Sequence, residues 1–176
     1  IVSHNDADHI SGNAAVIEYY ETQADGIGII HDPGIASSTQ TYNEYLDAVE
    51  EHDVRLVETC EGNALSFGGD AVGVQVLGPP DPYLENGARN ENSIVLKLTF
   101  GSTNFLTTGD AGNDQEAYLI DQYGRQLRAT VLKAGHTGAR RVRVTPSWML
   151  SSPRQSSFRV PTTRGMTIQA RRRSNG

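Results

Sequence analysis

Charge divides this chain into two parts that follow different rules. Up to residue 138 the sequence holds all 21 acidic residues against six basic ones, Arg55, Arg89, Lys97, Arg125, Arg128 and Lys133. From residue 139 onward it holds nine arginines, no lysine and no acid. Apolar patterning breaks at the same place. Before it, apolar residues recur with helix and strand periods, whereas "ARRVRVTPSWMLSSPRQSSFRVPTTRGMTIQARRRSNG" has three prolines and no sustained period. A foldable core is therefore expected within residues 1–138, enough chain for one domain. The tail taken alone reads as a disordered basic segment, for which nucleic-acid binding is the corresponding function.

Within the body, helix-like and strand-like segments alternate. "GNAAVIEYYETQ" (12–23) carries apolar residues at 14, 15, 17, 19 and 20 behind Asn13 as a cap and predicts a helix. "GIGIIHD" (26–32) predicts a strand. "STQTYNEYLDAVEEH" (38–52) predicts a second helix with Tyr42, Tyr45, Leu46 and Val49 on one face. Strands are then expected at 54–58, 63–67 and 71–78, followed by a turn-rich loop at 79–92. "SIVLKLTFGSTNFLTTGD" (93–110) reads as two strands around "GS" that end on Asp110. A third helix is expected at 111–124. "RATVLKAGHTG" (128–138) reads as a strand running into a loop that carries His136. No internal repeat is present.

No run approaches the roughly 18 to 20 apolar residues of a membrane span, and no basic-then-apolar leader opens the chain, so a cytosolic protein with no membrane segment is expected. The acidic, lysine-poor body fits a protein kept soluble by surface carboxylates, as in high salt. A single cysteine, Cys60, excludes an internal disulfide and a thiolate zinc cluster, and it is assigned no role.

The chemistry concentrates at the start, where "VSHNDADHISGN" puts His4, Asp6, Asp8 and His9 within six residues. Imidazole and carboxylate together suit divalent zinc, manganese or iron, and a hydrolytic site needs positions left open for water and substrate. Asp110 in "LTTGD" and His136 in "VLKAGH" each stand just past a strand, as the first cluster does behind Ile1 and Val2. Alone, either would read as a turn residue, a cap or a surface side chain. His31 and His52 have no neighbouring ligand pattern and are read as surface residues, His31 being a distant candidate near the site.

"SHNDADHISGN" resembles the His-x-[His/Asp]-x-Asp-His motif of the metallo-β-lactamase superfamily. "NENSIVLKLTFGSTNFLTTGD" resembles the segment that carries its bridging aspartate, and "LKAGHTG" resembles the segment of its final histidine. Asp6 at the second motif position, "N-x-N-S" before the strand and "LK-x-GH" near the end are similar to the metallo-hydrolase domain of ComEC-type DNA-uptake proteins and their stand-alone relatives. The resemblance spans residues 1 to about 138. It implies an αββα sandwich, incomplete at both ends, with one or two divalent metal ions at its edge, zinc first and manganese or iron as alternatives. His4 and Asp6 would hold the first metal, Asp8 and His9 the second, Asp110 would bridge and His136 would complete the second site, with Asp8 also the catalytic residue. Hydroxide would attack a phosphodiester, ester or amide. In a full-length relative the domain would be attached to a membrane protein. Two departures stand out. The histidine expected near "VLGPP" is Gly78 here, which leaves the first site short of a ligand, and the strands that should precede the motif are missing.

Relatives read "GHHGS" where this chain reads "GHTGA". Loss of one base from a codon run for HHGS yields HTG and the start of an alanine codon. Read one base earlier with permitted codons, "SWMLSSPRQSSF" becomes "FLDAVEPEAVVI" and "RVPTTRGMTI" followed by Gln169 becomes "SAYDSRYDHP", a helix, a strand and a His-Pro turn resembling the end of such a domain. Residues from Thr137 onward are accordingly expected to be a frameshift product.

Three functions follow as expectations: a metal-dependent hydrolase of a small-molecule or phosphodiester substrate, linked to DNA uptake or processing; an inactive remnant with weak metal binding or none; and a basic-tailed nucleic-acid binder. The acidic body argues against a broad electrostatic DNA groove. Oligomeric state is not encoded in any pattern found.

Overall fold

The computed structural model describes residues 1–67, 69–84, 89–133 and 135. The arginine-rich tail from residue 139, the frameshift expectation from Thr137 and the ligand candidate His136 lie outside the described residues. The fold is mixed α/β with two sheets. In chain order it comprises α1 (Ala7–Ile10), α2 (Asn13–Gln23), β1 (Ile30–Asp32), α3 (Gln40–Glu51), β2 (Leu56–Glu58), β3 (Val72–Gly78), β4 (Val95–Phe100), β5 (Thr103–Thr107), α4 (Asn113–Tyr123) and β6 (Val131–Lys133). Single 3-10 turns precede β3 and β4 and follow α4.

β1 and β2 pair in parallel through the α3 crossover, with His31 opposite Val57. The larger sheet has the order β3-β4-β5-β6, antiparallel except that β6 runs parallel to β5. The β4–β5 hairpin turns at Gly101, whose φ of +56° is costly for a residue with a Cβ. β4 shows why period-two alternation selects this geometry. Val95 faces α4 with Leu77, Leu106, Leu119 and Leu127, whereas Leu96 faces the opposite side with Val76 and Ile94. Lys97, back on the α4 side, donates to the carbonyl of Gln126.

A separate apolar cluster packs α2 and α3 over β1: Val2, Ile10, Ile17, Ile30, Tyr42, Tyr45, Val49 and Val54. The face expected on α3 is buried here, with Leu46 packed at its margin. Thr39 caps α3, its side-chain oxygen accepting the Tyr42 N–H at 3.2 Å. α4 has no capping side chain of its own at Gly112. Glu91, from the turn before β4, supplies one by accepting the Gln115 N–H at 2.9 Å. Glu61 then ties the other side of α4 down through the hydroxyls of Tyr118 and Tyr123.

The two halves meet at the start of the chain. The Val2 N–H donates to the His31 carbonyl of β1 at 2.8 Å, and the Ile94 N–H, one residue before β4, donates to the Ser3 carbonyl at 2.8 Å. Extended residues 2 and 3 thus stitch one sheet to the other, and the His4 to His9 segment leaves from that seam.

Several expected boundaries move. Residues 63–67 form no strand. The Asn63 side chain instead accepts the Cys60 N–H at 2.9 Å, closing a turn, and the neighbouring Gly62 N–H already pairs with the Val76 carbonyl. α2 begins with Asn13 as its first helical residue, Gly12 being the cap. The strands expected at 26–32 and 54–58 are three residues each, as is the described strand in the 128–138 segment that was expected to run into a loop. Leu106 is 2 % exposed and faces α4 from the strand that leads to Asp110. Leu106→Ala should destabilise the chain by about 2–5 kcal/mol, read as a shift of the urea unfolding midpoint at unchanged slope. A midpoint within error of the wild type would mean that the α4 interface is not part of the cooperative core.

Candidate metal centre

His4 follows the seam directly and is buried, 1 % exposed. Its Nδ1 lies 3.1 Å from the Ser3 hydroxyl, while Nε2 has no hydrogen-bond partner among the described residues. Burial, and then the neighbouring His9, lower its pKa, opposed by the carboxylates of Asp110, Asp6 and Asp8. The imidazole is therefore neutral at neutral pH, the state in which it can donate a lone pair to a metal. A buried ring nitrogen left without a partner is uncommon and points to a ligand that completes it.

One helical turn brings the second imidazole back over the first. Asp6 is the cap of α1, and the His9 and Ile10 N–H groups close onto its carbonyl at 2.9 and 3.1 Å. Ile10 points into the core and anchors the turn. His9 then lies with its ring centroid 4.1 Å from that of His4. Its Nε2 is 3.3 Å from Asp110 Oδ2 and 3.8 Å from Asp8 Oδ2.

Asp110 arrives from the larger sheet, 4 % exposed. Its N–H donates to the Ser93 hydroxyl at 3.2 Å. Gly109 makes the preceding turn at φ +53°, and a Cβ there would lie 2.7 Å from Ser93 Cβ and 3.0 Å from Ser3 Cβ. Lys133 on β6 donates to the Gly109 carbonyl at 2.9 Å and stands 3.9 Å from Asp110 Oδ1. Gly135 backs the same turn, where a Cβ would lie 3.0 Å from the Ala111 carbonyl oxygen.

One ligand atom each from His4, His9 and Asp110 lie within 4.8 Å of one another, the one such group among the described residues. Two imidazoles and a carboxylate form a donor set suited to zinc, iron or manganese, and the unpartnered His4 Nε2 gives that set a reason to be filled. The other two members of the first cluster stand apart from it. Asp8 has a largely exposed side chain (75 %), and Asp6 is ion-paired with Arg89 through Oδ1 while Oδ2 lies 3.8 Å from His4 Nε2.

At Gly78, where the resemblance implies a histidine, the space beside the backbone is taken by Gln115. A Cβ at Gly78 would sit 2.9 Å from Gln115 Nε2 and 3.5 Å from Val95 Cγ2. The Gln115 amide fills that space and donates to the Ser93 carbonyl at 2.7 Å. Asn5 holds the loop from the other side, its amide donating to the Ile35 carbonyl at 2.9 Å and to Asp32 at 3.3 Å. Arg89, Ser93, Gln115, Lys133 and Asn5 were not singled out by sequence reasoning. The "N-x-N-S" and "LK-x-GH" patterns were the available signals for Ser93 and Lys133, Asn5 lies within the first motif, and nothing local marks Arg89 or Gln115. His31 is half-buried, with Nδ1 2.9 Å from the Thr59 hydroxyl, and His52 caps the end of α3.

A cavity of about 300 Å³ opens beside His9, walled by Val2, Ile94 and Leu96 and edged by Thr107, Gly109 and Lys133. No protein-family model matches the chain, and no curated protein matches it.

Gly109→Ala places a methyl group against Ser93 and Ser3 in a strained backbone region, and should cost about 1–3 kcal/mol of stability by urea unfolding. An unchanged midpoint would show that the turn shifts freely and does not fix Asp110. Asp32 supplies a pH test. Burial holds its carboxyl above the ordinary 3.8, opposed by hydrogen bonds from the Gly34 N–H and the Asn5 amide. The folded chain therefore holds this proton more tightly than the unfolded one. Its contribution to stability falls as pH rises from the ordinary value through the raised one, and the cost is complete above that window. Asp32→Asn should gain stability relative to the wild type as pH rises above the ordinary carboxylate value of 3.8. Parallel pH profiles of the two chains would contradict this.

Proposed function

We propose that this chain is a metal-dependent hydrolase of the metallo-β-lactamase type, acting on a phosphodiester or another ester or amide. The observation that carries the reading is the meeting of a buried His4 imidazole, whose Nε2 has no hydrogen-bond partner among the described residues, with His9 of the same segment and Asp110 just past the larger sheet. The two-sheet α/β architecture is compatible with an αββα sandwich, and the motif resemblance supplies the finer class. His4, His9 and Asp110 would hold a divalent ion, with zinc the first choice for two nitrogens and one oxygen. When bound, such an ion supplies Lewis acidity and lowers the pKa of water toward neutrality.

The chain's own groups account for the rest. Asp110, fixed by Ser93 and the Gly109 turn, holds His9 in place and sets its ring orientation. Lys133, half exposed at the rim of the cavity, is placed to attract an anionic group such as a phosphodiester. The aliphatic wall of Val2, Ile94 and Leu96 would exclude water from one side of the substrate. A cavity of this size takes a small ester or one nucleotide unit more readily than duplex DNA. A link to DNA uptake rests on motif resemblance alone. The exposed position of Asp8 makes it a rim residue able to accept a proton near His9.

Purified chain should bind zinc in equilibrium dialysis and hydrolyse bis-p-nitrophenyl phosphate in a reaction abolished by a chelator. Asp110→Asn and His9→Ala should each lower both metal affinity and turnover by at least 10-fold. Absence of zinc binding by the folded wild type sinks the proposal. Metal binding without turnover of any ester would reduce it to a metal-binding protein.

A further inference from the structure

Asp6 and Asp8 are equally near additional anionic donors to the metal group, each with Oδ2 3.8 Å from an imidazole Nε2, but Asp8 is largely exposed whereas Asp6 is turned to another partner. Its Oδ2 lies 3.8 Å from His4 Nε2, a separation within the spread of the three-ligand group itself. Its Oδ1 accepts from Arg89 Nε. Arg89 stands immediately before the Asn90–Asn92 turn, and that turn is held at both ends. Asn92 is fully buried and accepts the Leu84 N–H at 2.9 Å, while Glu91 caps α4 through Gln115. The next residue, Ser93, accepts the Asp110 N–H. The same short segment thus carries Arg89 to Asp6 and Ser93 to Asp110.

The distinction matters chemically. Zinc with four protein donors is closed and structural, whereas zinc with three keeps a position for water or substrate. A guanidinium stays charged at any working pH and does not release a carboxylate on titration. Building on the metal-site reading above, we propose that Arg89 is a positioning residue that withholds Asp6 from the metal and so keeps a three-ligand, open site. Asp6 is then not a ligand of a first metal. Together with the Gln115-filled space at Gly78, this leaves one three-ligand group among the described residues, so one zinc per chain is expected. Arg89 also places a positive charge near the ion, which trades affinity for openness.

The test uses the full chain as wild type, Arg89→Ala, Arg89→Gln, Asp6→Asn and the double variant Asp6→Asn/Arg89→Ala, with folding checked by circular dichroism. The first readout is zinc affinity by competition with a chromophoric chelator, and the second is water-proton relaxation enhancement by bound Mn2+. The wild type should bind one zinc. Arg89→Ala and Arg89→Gln should bind it about 10-fold more tightly or better, as the freed carboxylate joins the site, with a lower relaxation enhancement as bound water is displaced. Asp6→Asn should bind zinc with wild-type affinity, and the double variant should lose the reduction in bound water. Unchanged or weaker zinc binding in both folded Arg89 variants overturns the inference while leaving the metal site standing, as do two zinc ions in the wild type. Zinc binding by none of the chains overturns the metal reading itself, and this inference with it.

Discussion

Two backbone hydrogen bonds made by neighbouring residues hold the arrangement together, the Val2 N–H to His31 and the Ile94 N–H to Ser3. They join the small parallel sheet to the larger one through a single extended segment. Because that segment ends at Ser3, His4 is delivered to the seam between the halves, where water is excluded and the larger sheet can reach it. Everything proposed about the site follows from this placement. A His4 displaced by one residue along the segment would point to the opposite side of the extended chain.

The surroundings of the seam are built from polar side chains that carry no metal chemistry themselves. Asn5 ties the loop to the end of β1, Ser93 seats Asp110, Gln115 fills the space beside Gly78, and Glu91 caps α4. Such supporting hydrogen bonds fix ligand direction, and geometry at a metal site tolerates little error. Arg89 belongs to the same support. Its pairing with Asp6 sets that carboxylate apart from the His4, His9 and Asp110 group.

The sequence was informative where local spacing decides the outcome. The buried face of α3 follows from Tyr42, Tyr45 and Val49 at helical intervals, and the β4–β5 hairpin follows from alternation around Gly101. It misled where an apolar residue had a non-local or turn role. Leu65 packs against the larger sheet from a segment with no ladder partner, so residues 63–67 look like a strand without forming one. Strand ends were overestimated for the same reason, since pairing depends on a partner that is distant in sequence. At the site, crowding of His4, Asp6, Asp8 and His9 was visible at once, but nothing local separates Asp6 from its neighbours.

By itself the sequence determined that the elements up to residue 133 mix helices and strands, and that metal-capable side chains gather where an extended segment gives way to a loop. Those properties are local, set by periodicity, charge and the chemistry of side chains close in the chain. Tertiary structure brings His4 and His9 to Asp110, a meeting that motif resemblance implied and residue spacing did not, and it alone decided that Arg89 takes Asp6 and that Gln115 occupies the space at Gly78. The physical reason is that a contact between distant residues depends on which surfaces pack together and on the direction of each side chain after packing. Neither quantity is written in the spacing of the residues that make the contact.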